Sequence, residues 1–217
     1  MRNRFDEQLE LLNREMTEMG AMCETLIEAA IKGLMTGDTF WTQQVKAEGC
    51  MVDEMERSIE SRCMKLLLHQ QPVAKDLRQI SAALKMITDM ERIGDQAEDI
   101  AEISTYIKGH SPESMGVIGE MAQATIQMVT GSIDAYVRKD IRLAEKVIAR
   151  DDSVDEYFIK MKKIIIKWIA DNPEDGEFAL DLLMIAKYLE RIGDHATNIA
   201  EWVIYSLTGH HKEAKSE

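Results

Sequence analysis

One pentapeptide occurs twice in this chain, and this repeat constrains the fold more than any other feature. The segment Glu-Arg-Ile-Gly-Asp stands at 91–95 and again at 190–194, within the longer matches DMERIGDQAEDIAE and YLERIGDHATNIAE. Upstream, Val-Asp-Glu at 52–54 returns at 154–156. The chain is therefore a tandem duplication of a unit of roughly 100 residues, which is the length of a domain and not of a solenoid repeat.

The spacing of apolar residues predicts an all-α fold. Apolar residues recur at intervals of three and four between three prolines that lie at apparent joints (Pro72, Pro112 and Pro173). The predicted helices cover about 5–35, 39–69, 72–109, 114–138, 141–170 and 172–207. Short joints imply antiparallel neighbours, so each unit is expected to be an up-down-up three-helix bundle. The predicted domains are 1–110 and 111–209, followed by a polar tail at 210–217.

Specific residues predict where these helices begin and end. Asp38 and Asp140 are expected N-caps, because a short carboxylate can accept bonds from the free N–H groups of a first turn. Asn172 followed by Pro173 predicts another N-cap. Gly37 and Gly209 are expected to end the helices that precede them.

Composition narrows the possible functions. Among 217 residues the formal net charge is −13, which argues against binding to the phosphate backbone of nucleic acid. The first residues carry charges throughout and no apolar run is long enough for a membrane span, so neither a signal peptide nor membrane insertion is expected. Three cysteines (Cys23, Cys50 and Cys63) form no CxxC pair, which favours a reducing cytoplasm.

The repeated segment places acids along one stripe of a helix. At about 100° per residue, Glu91, Asp95, Glu98 and Glu102 share a narrow face, with Asp99 at its edge. Like charges at i and i+4 oppose helix formation by a few tenths of a kcal/mol. A divalent cation between them would reverse that sign, since carboxylate oxygens suit magnesium, calcium, manganese and iron.

The second copy keeps part of this stripe. Glu190, Asp194 and Glu201 occupy the same angles, while Thr197 and Asn198 replace the acids at 98 and 99. Acids of the preceding helix could complete either site: Asp53, Glu54 and Glu56 in the first unit, and Asp152, Asp155 and Glu156 in the second. A solvated acidic face, with Arg92 and Arg191 in local ion pairs, is the alternative interpretation.

The sequence leaves two possibilities for which side of the acidic turns is buried. The acids continue a line formed by Ile80, Leu84 and Ile87, but Ile93 and Ile100 form an apolar seam on the other side. Gly94 and Gly193 lie beside the acids in both copies. A glycine inside a helix costs about 1 kcal/mol relative to alanine. Keeping it twice predicts a close approach by another backbone or by a donor group.

Other constellations are weaker. No ExxH pair occurs, which argues against a ferritin-like di-iron site. There is no glycine-rich phosphate loop and no evident pairing of a nucleophile with a base. His195 follows Asp194 and could bind a metal, but Gln96 stands at its place in the first copy.

The two ERIGD units, with the stretch QQPVAKDLRQISAALKMITDMERIGDQA, resemble the PhoU family of phosphate-signalling proteins over essentially the whole chain. The resemblance implies two similar bundles related by pseudo-twofold symmetry, in a cytoplasmic protein that is often a homodimer. It also implies a multinuclear metal cluster of iron or zinc, with magnesium or manganese possible, bound through an E(D)xxxD motif in each repeat. By that motif the metal ligands are Glu91, Asp95, Asp99, Glu190 and Asp194. Asn198 stands at the position of Asp99 but departs from the acidic pattern. Asp53 and Asp155, from the acids of the preceding helix, are further candidate ligands.

The resemblance implies a regulator and not an enzyme. Family members repress the phosphate regulon and modulate phosphate uptake, and they link the ATPase of the phosphate ABC transporter to a sensor histidine kinase at the membrane. Two alternatives remain open. One is a carboxylate-bridged metalloenzyme, and the other is a helical scaffold without metal.

Overall fold

Six long helices build the fold. The computed structural model describes residues 2–69, 72–107 and 112–210. The helices are α1 (Arg2–Thr36), α2 (Thr39–His69), α3 (Ala74–Ser104), α4 (Pro112–Arg138), α5 (Ile141–Asp171) and α6 (Gly176–Thr208), with a short 3-10 helix at Pro173–Asp175. The predicted all-α class is confirmed, and no strand occurs within these ranges. The predicted domain boundary at 110/111 and the tail beyond 210 lie outside the described residues.

Most predicted helix ends match the structure. The side chain of Asp38 accepts a hydrogen bond of 2.9 Å from the Phe40 N–H, and Asp140 accepts from two N–H groups at the start of α5. Gly37 and Gly209 adopt positive φ angles of 68° and 80°, where a side chain would be strained. Each of these residues ends one helix or begins the next.

Three expectations about helix ends need correction. Asn172 lies at the N-cap position of the 3-10 helix, but its side chain forms no capping hydrogen bond there, because its amide donates back to the Trp168 carbonyl oxygen at 3.2 Å. The third helix begins at Ala74 and not at Pro72, since Val73 is still extended with ψ of 165°. That helix ends at Ser104, earlier than expected, and its predicted end at Gly109 lies outside the described residues.

The two halves are built alike. In the first half α1, α2 and α3 pack pairwise against one another, and α4, α5 and α6 do the same in the second. The halves join through two contacts between corresponding helices, α3 with α6 and α1 with α4. Each joint pairs a helix with its own counterpart, as occurs when the two helices lie beside a pseudo-twofold axis.

The α1–α4 joint is tightly packed. A Cβ atom built on Gly20 of α1 would lie 2.7 Å from Cγ1 of Ile133 in α4. Such a distance is shorter than van der Waals contact, so only glycine allows this approach of the two helices.

The core determines where the acids lie. Ile93, Ala97 and Ile100 of α3 are fully buried, as are Ile192, Ala196 and Ile199 of α6. The apolar seam opposite the acids is therefore the buried one, and the acids remain only partly covered. Within the described ranges, no helix combines the length and apolar character that crossing a bilayer would require.

Candidate metal centre

Three carboxylates converge in the first repeat. Asp53 of α2 and Glu91 and Asp95 of α3 each offer an oxygen, and these oxygens lie within 4.8 Å of one another. All three residues are partly buried. We call Asp53, Glu91, Asp95 and the neighbouring Glu98 the first cluster. Within the part of the chain that the structure describes, such a tight convergence occurs here alone.

A glycine brings the two helices of the first cluster together. A Cβ atom on Gly94 would lie 3.4 Å from Cγ1 of Val52, so this valine packs directly on the glycine. Asp53 follows Val52 and is thereby held beside Glu91 and Asp95. The close approach predicted at this glycine is real, but a valine side chain makes it, and not a backbone or donor group. Gly193 and Val154 repeat the contact at 3.4 Å in the second half.

Glu98 joins the first cluster over a second glycine. Its carboxylate lies against Gly49 of α2, where a Cβ atom would be 1.6 Å from Oε1 of Glu98. Loss of hydration raises the pKa of Glu98, and the charges of Asp53 and Asp95 raise it further. Glu98 is therefore electrostatically part of the same group of acids.

The first cluster is short of positive charge. Loss of hydration raises the pKa of Glu91, and Asp95 adds to this, because a second negative charge nearby disfavours ionisation. The Arg92 side chain lies 3.1 Å from Asp95 and 3.5 Å from Glu91. It is 56% exposed, so water screens much of its effect. The local ion pairs expected for Arg92 are thus present but leave repulsion among the acids.

A second cluster lies at the corresponding place in the other half. Loss of hydration, followed by the charges of Glu190 and Asp151, raises the pKa of Asp194 to about 6. Asp155 acts on both Asp151 and Asp194 in the same direction. We call Asp151, Asp155, Glu190 and Asp194 the second cluster.

The fourth acid of each cluster lies on a different helix: Glu98 is on α3 in the first half, and Asp151 is on α5 in the second. Asp151 on α5 stands where α2 carries Gly49, and Thr197 on α6 stands where α3 carries Glu98. Each half thus has one carboxylate at this contact between helices. Glu98 lies opposite Gly49, and Asp151 lies opposite Thr197. The Thr197 hydroxyl lowers the pKa of Asp151 in part, although it makes no hydrogen bond of standard geometry. Sequence analysis missed Asp151, and alignment of α2 with α5 was the signal that could have found it.

A lysine distinguishes the second cluster. Lys187 forms an ion pair with Glu190 and lies 5.5 Å from the centre of the Phe158 ring. Thr88 occupies the corresponding position in the first repeat and has no charge to offer. The second cluster therefore has a counter-charge that is less exposed than Arg92, the counter-charge of the first cluster: the side chain of Lys187 is 37% exposed and that of Arg92 is 56% exposed.

Polar contacts cross the α3–α6 joint. Asp89 of α3 lies 2.9 Å from Nδ1 of His195 and accepts a bond of 3.2 Å from the Asn198 amide. At the symmetry-related place, Tyr188 of α6 and Asp99 of α3 lie close enough for each to affect the pKa of the other.

These contacts bear on three predicted ligands. Asp99, Asn198 and His195 all face the opposite repeat, and each has a polar partner there. Loss of hydration and the charge of Asp95 raise the pKa of Asp99, so the first cluster acts electrostatically on this residue. Whether it binds a metal stays a prediction.

The remaining candidate acids are not members of either cluster. Glu54, Glu102, Asp152 and Glu156 are exposed. Glu56 is half-buried, and loss of hydration and Glu60 raise its pKa. Glu201 is half-buried and lines an apolar groove of about 530 Å³ between α5 and α6.

The donor set of both clusters consists of carboxylate oxygens. Hard cations that accept several oxygen ligands, such as iron, manganese and magnesium, suit these donors better than zinc, which is more often held by cysteine and histidine. The residues present therefore fit a cation. Glu91, Asp95 and Asp53 would hold it in the first half. The corresponding residues of the second half are Glu190, Asp194 and Asp155, which do not converge as tightly.

Comparison with known proteins gives a consistent result. The PhoU domain model matches residues 16–104 and 118–203. The phosphate-specific transport system accessory protein PhoU homolog of Clostridium acetobutylicum is 33% identical over 207 residues, covering 94% of each chain. The crystal structure of PhoU from Pseudomonas aeruginosa is 32% identical and covers 95% of this chain and all of its own, with a TM-score of 0.91. PhoU of Streptococcus pneumoniae, at 23% identity and a TM-score of 0.88, has the same fold.

Proposed function

Because this chain belongs to the PhoU family, we propose that it regulates phosphate uptake as a non-enzymatic, metal-binding adaptor. It would act in the cytoplasm, as a homodimer, between the ATPase of a phosphate ABC transporter and a sensor histidine kinase, and it would repress the phosphate regulon. Support comes from the relatives, which are named as accessory proteins of phosphate-specific transport.

The convergence of Asp53, Glu91 and Asp95 is the observation that carries the metal part of this proposal. Three carboxylates within 4.8 Å repel one another unless protons or cations intervene. The pKa of Glu91 is raised first by loss of hydration and then by the negative charge of Asp95. A bound cation, of iron or zinc or another divalent metal, would remove the repulsion and stiffen the contact between α2 and α3.

Metal content is the first test of the proposal. Elemental analysis of untagged protein is expected to find a transition metal in the wild type. The double variant Glu91→Gln/Glu190→Gln should lose most of it. Glu54→Gln/Glu156→Gln is the matched control, because it removes the same charge from exposed acids outside the clusters. Metal-free wild-type protein, or equal loss in both variants, would favour a scaffold without metal.

Regulation is tested separately in cells. Deletion of the gene should raise phosphate-responsive transcription in phosphate-rich medium, and the wild-type gene should restore repression. If deletion changed neither transcription nor phosphate uptake, the regulatory role would be lost whatever the metal content. Turnover of a substrate by metal-loaded protein, abolished in Glu91→Gln, would instead favour the metalloenzyme.

A further inference from the structure

The outer face of the C-terminal half of α5 combines positive charge with uncovered aliphatic side chains. Six exposed residues form it, and we call them the lysine–isoleucine face: Ile159, Lys160, Lys162, Lys163, Ile166 and Lys167. Ile159 is 47% exposed and Ile166 is 69% exposed. This face stands out on a chain whose formal net charge is −13.

The arrangement around the helix is ordered. At about 100° per residue, Ile159 and Ile166 fall within about 20° of each other, two turns apart. Lys162 lies on one side of this line, and Lys163 and Lys167 lie on the other. The ammonium group of Lys162 lies 4.9 Å from the centre of the Phe158 ring. Lys163 and Lys167 can extend their ammonium groups sideways while their aliphatic stems line the apolar strip.

The first repeat shows that the fold does not require this face. The corresponding residues of α2, 102 positions earlier, are Arg57, Ser58, Glu60, Ser61, Met64 and Lys65. Their formal charge is +1, whereas the charge of the lysine–isoleucine face is +4. Because α2 packs in its bundle as α5 does, the fold does not require the extra lysines.

Neighbouring acids neutralise the face only weakly. Lys160 lies 3.9 Å from Glu120, and both side chains are more than half exposed. Glu156 is one turn before Lys160, and Asp171 is one turn after Lys167. Charges farther away are screened, since the Debye length is about 8 Å at physiological ionic strength. The remaining acids therefore do not cancel this local positive surface.

We propose that the lysine–isoleucine face docks on the surface of an anionic lipid bilayer. One straight helix presents a convex ridge, which matches a plane better than a pocket. Lysine is depleted in protein–protein interfaces, where arginine and aromatic residues dominate, and this face has no arginine or aromatic residue among its six members. Basic residues beside exposed aliphatic groups are instead typical of helices that lie in the membrane interface. The protein would rest on the bilayer along α5 without inserting.

Vesicle binding by the full chain tests this proposal directly. Metal-stripped protein is mixed with vesicles of phosphatidylglycerol and phosphatidylcholine, or of phosphatidylcholine alone, and sedimented. Binding is expected only with phosphatidylglycerol and should fall with added salt. The variant Lys160→Gln/Lys163→Gln/Lys167→Gln should lower the partition coefficient roughly 100-fold, because each lysine near an anionic surface contributes about 1 kcal/mol. Ile159→Ser/Ile166→Ser should lower it as well.

The matched control removes the same charge from the first repeat. Lys65→Gln/Lys75→Gln/Lys85→Gln changes three exposed lysines outside the face and should bind vesicles like the wild type. Circular dichroism would establish that all variants are folded. Absence of binding to phosphatidylglycerol vesicles, or equal losses in both triple variants, would overturn the proposal. The proposal would also be overturned if the wild-type protein bound no vesicles but formed a dimer that only the lysine–isoleucine face variant abolished.

Discussion

The carboxylate of Glu98 occupies the space that a side chain at position 49 would need: a Cβ atom on Gly49 would lie 1.6 Å from Oε1 of Glu98. The first cluster therefore depends on a residue that contributes no ligand atom. Gly49 is buried in α2, yet its effect is on an acid of α3.

The substitution Gly49→Ala should weaken cation binding without lowering the stability of the protein. Alanine favours a helix interior over glycine by up to about 1 kcal/mol, and the end of a glutamate side chain can move aside. We expect equal or higher stability in urea unfolding. The displaced Glu98 should weaken Mn²⁺ binding at the first cluster about tenfold, as removal of supporting groups does elsewhere. Calorimetric titration measures the affinity.

Gly116→Ala is the control for this substitution, because nothing lies within 4 Å of a Cβ atom there. It should leave Mn²⁺ affinity unchanged. Unaltered affinity in Gly49→Ala would show that Glu98 takes no part in the first cluster.

Neutralising Glu91 should have opposite effects with and without a cation. Glu91→Gln relieves repulsion with Asp95 and should raise the free energy of unfolding of the metal-free protein by a few tenths of a kcal/mol. Its melting temperature should therefore rise slightly. The same change should reduce the increase in melting temperature that Mn²⁺ gives the wild type. Glu54→Gln should keep that increase. An undiminished increase in Glu91→Gln would place the cation elsewhere.

The raised pKa of Asp194 predicts a dependence on pH. A carboxyl whose pKa is higher in the folded protein than in the unfolded chain binds its proton preferentially when folded. Stability of the metal-free protein should therefore fall as pH rises from the ordinary aspartate pKa of 3.8 through the raised pKa of about 6. Asp194→Asn should flatten this part of the profile, measured by urea unfolding across the range. Cation affinity should rise over the same interval, since protons compete for the oxygens. A profile identical in Asp194→Asn would contradict the assignment.

Lys187 should limit cation binding at the second cluster. Its ion pair with Glu190 supplies charge that a cation would otherwise supply. In protein whose first cluster is silenced by Glu91→Gln, adding Lys187→Thr gives the second cluster the residue found at Thr88. We expect Mn²⁺ affinity to increase several-fold, on the order of 1 kcal/mol. Lys75→Thr, an exposed lysine elsewhere, should have no effect. Weaker binding in Lys187→Thr would mean that the lysine supports the site.

Gly20→Ala should destabilise the joint between the repeats. The new methyl group would meet Ile133 Cγ1 at 2.7 Å, and a branched side chain in a packed interface moves less easily than a glutamate. A loss of about 1–3 kcal/mol is expected in urea unfolding, typical of overpacking. Ile133→Ala should cost less in the Gly20→Ala background than alone, because it removes the clash. Additive losses would exclude a contact between these positions.

Much of the architecture is local and could be predicted from the sequence. Asp38 and Asp140 bind N–H groups two residues away, and Gly209 needs only its own backbone angle. Glu91 and Asp95 share a face because of helical geometry alone. Contacts between helices could not be predicted in this way. Asp151 joins the second cluster only through the register of α5 on α6, which no local pattern encodes.

Asn172 shows the same limit at a helix end. Its sequence context is typical of an N-cap, but its side chain bonds backwards to the end of α5. Gly94 shows it in the core, where the approaching group proved to be the side chain of Val52. In each case the local sequence allows more than one partner, and the contact that forms depends on tertiary packing.

The α3–α6 joint has a historical consequence. One repeat alone would leave uncovered the face of α3 that α6 covers in this chain. In a symmetric dimer of two identical repeats, both sides of the joint would carry identical residues. Fusion into one chain freed them to differ, and Asp89 with His195 now stands opposite Tyr188 with Asp99. Covalent linkage thus turned one self-complementary contact into two that mutation can adjust independently.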